Sequence, residues 1–186
     1  MSYPAMTPAR SMTRLFVPLS IGIAVSVALG VYGNLHQPTG IAVNISGFSG
    51  PLTVKVWLAS VAMVLALVQL VSALVMYGRM PGVMQGPYWI GTLHRWSGRL
   101  AFLFTVPVAV HCLYALGFAT FDTRTLVHSL AGCFFFGAFT VKMLILPRSG
   151  VPGWALPVFG GLVFTALSVL WLTSAFWFFT TTGVKF

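Results

Sequence analysis

A chain of 186 residues that is 58% hydrophobic and 6% charged lacks the surface of a soluble domain, in which about 25% of residues carry charge. Its apolar residues come in continuous runs near the ~20 residues a helix needs to cross a bilayer, without the alternation of a β-barrel, so the expected class is an all-α integral membrane bundle. The net charge of +9, with Asp122 as the single acid, does not argue for nucleic acid as a partner: the basic residues gather at the ends of the apolar runs, where they set topology and meet anionic lipid headgroups.

Five spans are expected in one transmembrane domain covering residues 1–186. Met1 to Arg14 is short, polar and basic. The run from Leu15 to Leu35 is long for the apolar region of a signal peptide and no small-residue cleavage site follows it, so it reads as a retained first span. His36-Gln-Pro-Thr-Gly40 breaks it. The second span covers about 53–77 and ends at Arg79-Met-Pro-Gly82. The third covers about 97–118 and the fourth about 126–146. Pro147 to Gly153 separates the fourth from the fifth, about 154–179. Cys112 and Cys133 fall within spans and read as small apolar side chains rather than a disulfide framework.

Charge sets the orientation. With the N-terminus in the cytoplasm, Arg10, Arg14, Arg79, Arg95, Arg99, Lys142 and Arg148 are inside, and Lys55, Arg124 and Lys185 are outside. Tyr77, Tyr88, Trp89, Trp96 and Trp154 then form an aromatic belt at the inner boundary. The expected location is the cell membrane, as a multi-pass protein.

The four histidines carry the chemical argument: His36, His94, His111 and His128. An imidazole in hydrocarbon is costly, so His111 and His128, on consecutive antiparallel spans, are candidates for a shared ligand. The ligand that best matches two facing imidazoles is haem iron. At helical spacing, Ala101, Thr105, Val108, His111, Cys112 and Ala115 share one face of the third span. His128, Ala131, Gly132, Phe135, Phe139 and Lys142 share one face of the fourth. Small residues on such faces leave room for a flat macrocycle, with Phe134, Phe135, Phe136 and Phe139 as apolar walls. His36, just past the first span, is an alternative axial ligand or a third ligand for a metal such as zinc. Pro107 is expected to kink the third helix before His111.

Thr92 to Leu100 is the second feature. Ser97 is placed to cap the third helix, and Arg95 and Arg99 lie four apart on one side of it. Cations and hydroxyls at an interface suit haem carboxylates or a quinone head. His94 is the one histidine at that end. A second haem there needs Met80, Met84 or Met143 as the other ligand.

Leu93-His-Arg-Trp-Ser-Gly98 resembles the His-Arg-x-Ser/Thr-Gly signature of the cytochrome b anchor subunit of succinate dehydrogenase, where the segment lies near the haem propionates and the quinone site. That family has three spans. The wider layout (Gly30 to Gly40, Met76 to Gly82, Gly91 to Phe118) resembles an uncharacterised five-span actinobacterial membrane family, associated with cytochrome b561-like and ferric reductase-like proteins. The resemblance covers most of the chain and carries no established activity. Cytochrome families with two haems normally show four helix-borne histidines, two per face, whereas here the inner face has His94 alone.

The expectation is a membrane b-type cytochrome holding one haem, or two if His94 finds a ligand partner. It would carry electrons between a quinol or a reductase partner protein and an acceptor. His111 and His128 are the axial pair, His36 the substitute, and Arg95, Ser97 and Arg99 the positioning groups. Two other classes use the same histidines: a non-redox scaffold or assembly subunit, with imidazoles as interhelical glue, and a metal or proton transporter. The single loop acid, Asp122, counts against a cation path.

Overall fold

The computed structural model describes residues 12–42, 44–82 and 86–186; Arg10 and Met84 lie outside them. A 3-10 turn, Met12–Leu15, leads into α1 (Phe16–Leu35). The other helices are α2 (Pro51–Met76), α3 (Ile90–Val110), α4 (Thr123–Ile145), α5 (Ala155–Trp171) and α6 (Trp177–Thr182). A π-helical turn, His111–Leu116, extends α3, and a second, Leu172–Phe176, joins α5 to α6. The described residues are all-α, with five continuous rods long and apolar enough to cross a membrane: Met12–Leu35, Pro51–Met76, Ile90–Leu116, Thr123–Ile145 and Ala155–Thr182.

Local chemistry explains two starts that differ from expectation. α4 begins before its apolar run because Asp122 caps it. The Asp122 carboxylate accepts from the Thr125 N–H at 2.6 Å, and Thr125 Oγ1 accepts from the Asp122 N–H at 3.3 Å. This bond, more than any other contact, holds the Asp122 carboxyl below the usual carboxylate range. α3 begins at Ile90, not Ser97. The Ile90 N–H bonds to the Pro87 carbonyl, and those of Thr92 and Leu93 to Trp89. Ser97 therefore does not cap this helix. It lies two turns inside, buried, with its hydroxyl donating back to the Leu93 carbonyl at 2.8 Å. Pro107 lies within α3, and the irregularity follows it as the π turn starting at His111.

The outward faces are apolar and exposed, as at Ile23, Val27, Val64, Leu103 and Leu172. Half of the buried hydrophobic residues are alanine: Ala62, Ala66, Ala101, Ala115, Ala138, Ala155, Ala166 and Ala175. Lipid tails are as apolar as leucine, so helices associate where small residues let backbones approach. The closest approach is between α1 and α4. A Cβ on Gly22 would strike the Val141 side chain and the Gly137 carbonyl, and one on Gly137 would strike Ser26 and the Gly22 carbonyl. Ser26 Oγ donates across this contact to the Cys133 carbonyl at 3.0 Å.

α3 packs on α2, α2 on α5, α5 on α4, and α4 on α1. Although consecutive, α3 and α4 do not pack backbone to backbone. Phe102 of α3 bridges them, stacking on Phe139 of α4 with ring centroids 4.0 Å apart. Beyond this aromatic layer the helices enclose a cavity. It lies at the distal end, where α1 and α3 finish and α2 and α4 begin.

Candidate functional site

The distal cavity has a volume of about 470 Å³, within the size range of cofactor pockets. Its walls are mainly apolar. α3 and its π turn supply Val108, Ala109, Cys112 and Leu113; α4 supplies Gly132, Phe135 and Phe136; α5 supplies Leu167, Leu170 and Trp171. The polar lining is sparse: Lys55, Thr105, Arg124, Thr125, His128, Ser129, Thr173 and Ser174, with the thiols of Cys112 and Cys133. Both cysteines are half-buried and unpaired, lining the cavity rather than the packed core. Phe134 is exposed on the far side of α4, so of the expected aromatic walls it is Phe135 and Phe136 that line the cavity. A smaller groove between α1 and α3, about 350 Å³, carries no histidine, cysteine or charged side chain.

His128 projects from the second turn of α4 into this cavity. Its Nδ1 lies 2.9 Å from Thr173 Oγ1. The Thr173 hydroxyl has one proton and points it at the Val169 carbonyl, 2.7 Å away. The hydroxyl therefore accepts, Nδ1 donates, and Nε2 is the nitrogen left with a lone pair. An orienting bond of this kind is the outer-shell arrangement that prepares an imidazole to ligate a metal. It depends on the π turn at Leu172–Phe176, which carries Thr173.

His111 occupies the first position of the other π turn. Its Nε2 is buried with no hydrogen-bond partner among the described residues. Buried polar atoms are nearly always partnered, so an orphan of this kind calls for an explanation. His111 is not itself part of the cavity lining, but Val108 and Cys112 on either side of it are. Among the described residues, no group of three or more His, Cys, Asp or Glu side chains forms a metal-binding cluster. A two-imidazole axial pair requires no third protein ligand.

His36 is engaged elsewhere. Its ring stacks between Tyr32 and Tyr114, with centroids 5.0 and 5.2 Å away. Nε2 donates to the Tyr114 carbonyl at 3.1 Å. The Thr39 and Gly40 N–H groups bond to the Tyr114 and Ala115 carbonyls. His36 thus helps satisfy the orphan carbonyls at the end of the α3 rod, and it does not line the cavity.

The matching model is of a family of unknown function, DUF6529, and spans residues 15–186. The chain belongs to this family. No curated protein and no solved structure matches it.

Arg95, Ser97, Arg99 and His94 are at the opposite, proximal end, and none lines the cavity. His94 Nδ1 shares a 2.8 Å hydrogen bond with the buried Ser72 hydroxyl of α2. Gln69 donates to the His94 carbonyl and, at 2.9 Å, to Ser97 Oγ. Gly98 leaves room for this amide: a Cβ there would lie 3.0 Å from it. His94, Ser97 and Gly98 therefore form a polar joint between α2 and α3. Arg95 and Trp96 are exposed; Arg95 bonds to Thr92, and Arg99 lies 5.2 Å over the Trp96 ring. Met143, one expected partner of His94, is exposed on α4. Thr173, Lys55 and Arg124 are site residues that the histidine argument passed over.

Proposed function

We propose that the protein is a b-type cytochrome of the cell membrane, passing electrons between a quinol or reductase partner and an acceptor, with its haem in the distal cavity. The observation that carries this reading is the buried, unpartnered Nε2 of His111 beside a cavity whose wall bears His128 with its tautomer already set. The surroundings suit haem iron: the His128 imidazole stands in a lining of apolar walls without a carboxylate, and the buried His111 Nε2 lies beside it, between the lining residues Val108 and Cys112. Bound there, the iron supplies one-electron chemistry between its ferric and ferrous states.

The chain's own part is to hold and to insulate. Thr173 fixes the His128 ring. The Phe102, Phe136 and Phe139 layer closes the cavity on the proximal side. The apolar walls would hold the group and keep water out of the site. With the N-terminus cytoplasmic, the cavity lies toward the outer face, and the exposed Arg95, Trp96 and Arg99 face the inner one, where a quinol or a reductase would dock.

The test is the dithionite-reduced minus oxidised absorption spectrum of detergent-purified protein expressed with sufficient haem, with haem quantified per chain. Sharp reduced bands at one haem per chain, lost in His111→Ala and in His128→Ala, support the reading. Absence of haem sinks it and leaves the scaffold and transporter classes. Two haems per chain reopen His94 as a ligand.

A further inference from the structure

The cavity has a cationic rim that its apolar body does not explain. Lys55, on the second turn of α2, and Arg124, on the first turn of α4, both line it. Arg124 stands at the N-terminus of α4, the end that favours anions, and Lys55 lies one turn inside that of α2. Two helix N-termini and two cations therefore converge at the distal end, with Asp122 the only acid in the chain. Asp122 lies 3.8 Å from the Arg124 guanidinium, which also donates to the Thr173 carbonyl at 2.7 Å and stacks over Trp177. Arg124 is thus anchored in place. Lys55 has neither a hydrogen bond nor an ion pair among the described residues. Topology does not call for it either, since the positive-inside bias puts cations at the proximal end. A residue that breaks a local rule without a structural return marks a functional position.

We propose that Lys55, assisted by Arg124, binds the acid groups of the cavity's occupant, so that the site takes a carboxylate-bearing porphyrin with its acids at the distal mouth. This rests on the cytochrome reading and replaces Arg95, Ser97 and Arg99 as the propionate-binding groups, because those residues are at the other end of the bundle. Haem b suits the site on both counts: a flat apolar ring for the walls, and two carboxylates on one edge for the rim. Lys55 is the group that discriminates, being of the two rim cations the one without a hydrogen bond or ion pair among the described residues.

The experiment compares two probes on haem-depleted protein in detergent: ferric protoporphyrin IX and its dimethyl ester, each titrated by absorption. The expected result is that the free acid binds about tenfold or more tightly than the ester. Lys55→Met should remove most of that preference by weakening the acid and leaving the ester unchanged, and Lys55→Arg should restore it. Ester binding is the internal control for folding: a variant that has lost the fold loses both probes. Equal affinity for acid and ester in the wild type, or a preference that survives Lys55→Met, overturns the assignment of Lys55 while the cytochrome reading stands. If neither porphyrin gives an imidazole-ligated spectrum with the wild-type protein, both readings fall together.

Discussion

Gly137→Ala tests the packing that holds α1 against α4. The new methyl would lie on Ser26 Oγ and 2.5 Å from the Gly22 carbonyl oxygen. The serine can rotate away, but it then loses its bond to the Cys133 carbonyl, worth about 0.6 kcal/mol for a typical interhelical bond in a membrane. The carbonyl belongs to the backbone of α1 and yields only if the helices part, at an overpacking cost of about 1–3 kcal/mol. Replacing a mid-helix glycine by alanine returns about 0.5–1 kcal/mol. The net expectation is a loss of about 1–3 kcal/mol. Gly161→Ala is the control: no atom lies within 4 Å of its Cβ, so that variant should be neutral or more stable. The assay is unfolding by SDS in mixed micelles, followed by circular dichroism. If Gly137→Ala unfolds at the same SDS fraction as Gly161→Ala, the close approach of α1 and α4 is refuted.

Three further outcomes are expected. Thr173→Val keeps the shape but removes the acceptor for His128 Nδ1, and haem affinity should fall about 10–100-fold; unchanged haem retention would exclude Thr173 as the orienting group. Ser72→Ala cuts the joint between α2 and α3 at His94 and should cost about 0.6–1.7 kcal/mol in the same SDS assay, with haem per chain unaltered. Asp122→Asn should lower the melting temperature near neutral pH. The native carboxyl titrates below its unfolded value, so its contribution is present above that value and lost as pH falls through the lower native one; a difference from wild type that persists unchanged into strong acid contradicts the capping role.

The five rods are legible in the sequence because continuous apolar runs have few other folds available in lipid. Their ends are less so where polar residues continue the helix. His94-Arg-Trp-Ser97 reads as an interface, yet Gln69 and Ser72 on α2 satisfy its buried side, and only the packing of α2 on α3 brings them there. Asp122 and Thr125 carry a capping pattern in plain view, but the apolar run starting at Leu126 draws the eye past it. The face of α4 with His128, Gly132 and Phe135 is recoverable from helical spacing and does line the cavity. Its partner Thr173 is on another helix, exposed by a π turn that has no residue signature. Adjacency in sequence also misleads: α3 and α4 meet through Phe102 and Phe139 rather than backbone to backbone, and α2 and α5 complete the walls. Lys55 and Arg124 count toward topology in a one-dimensional reading, and only the folded chain brings them to one rim.

The pairing of α1 with α4 has a consequence for biosynthesis. α1 leaves the ribosome roughly 90 residues ahead of its main partner α4, which is about 5–20 s at ordinary rates of synthesis. During that interval the glycine and serine face of α1 borders lipid or the insertion machinery, while α2 and α3, made back to back, can already close on each other through Gln69, Ser72 and His94. Assembly therefore runs from the middle of the chain outward. In a nascent chain halted after α3, Ser97→Cys should resist thiol labelling while Ser26→Cys stays open to it.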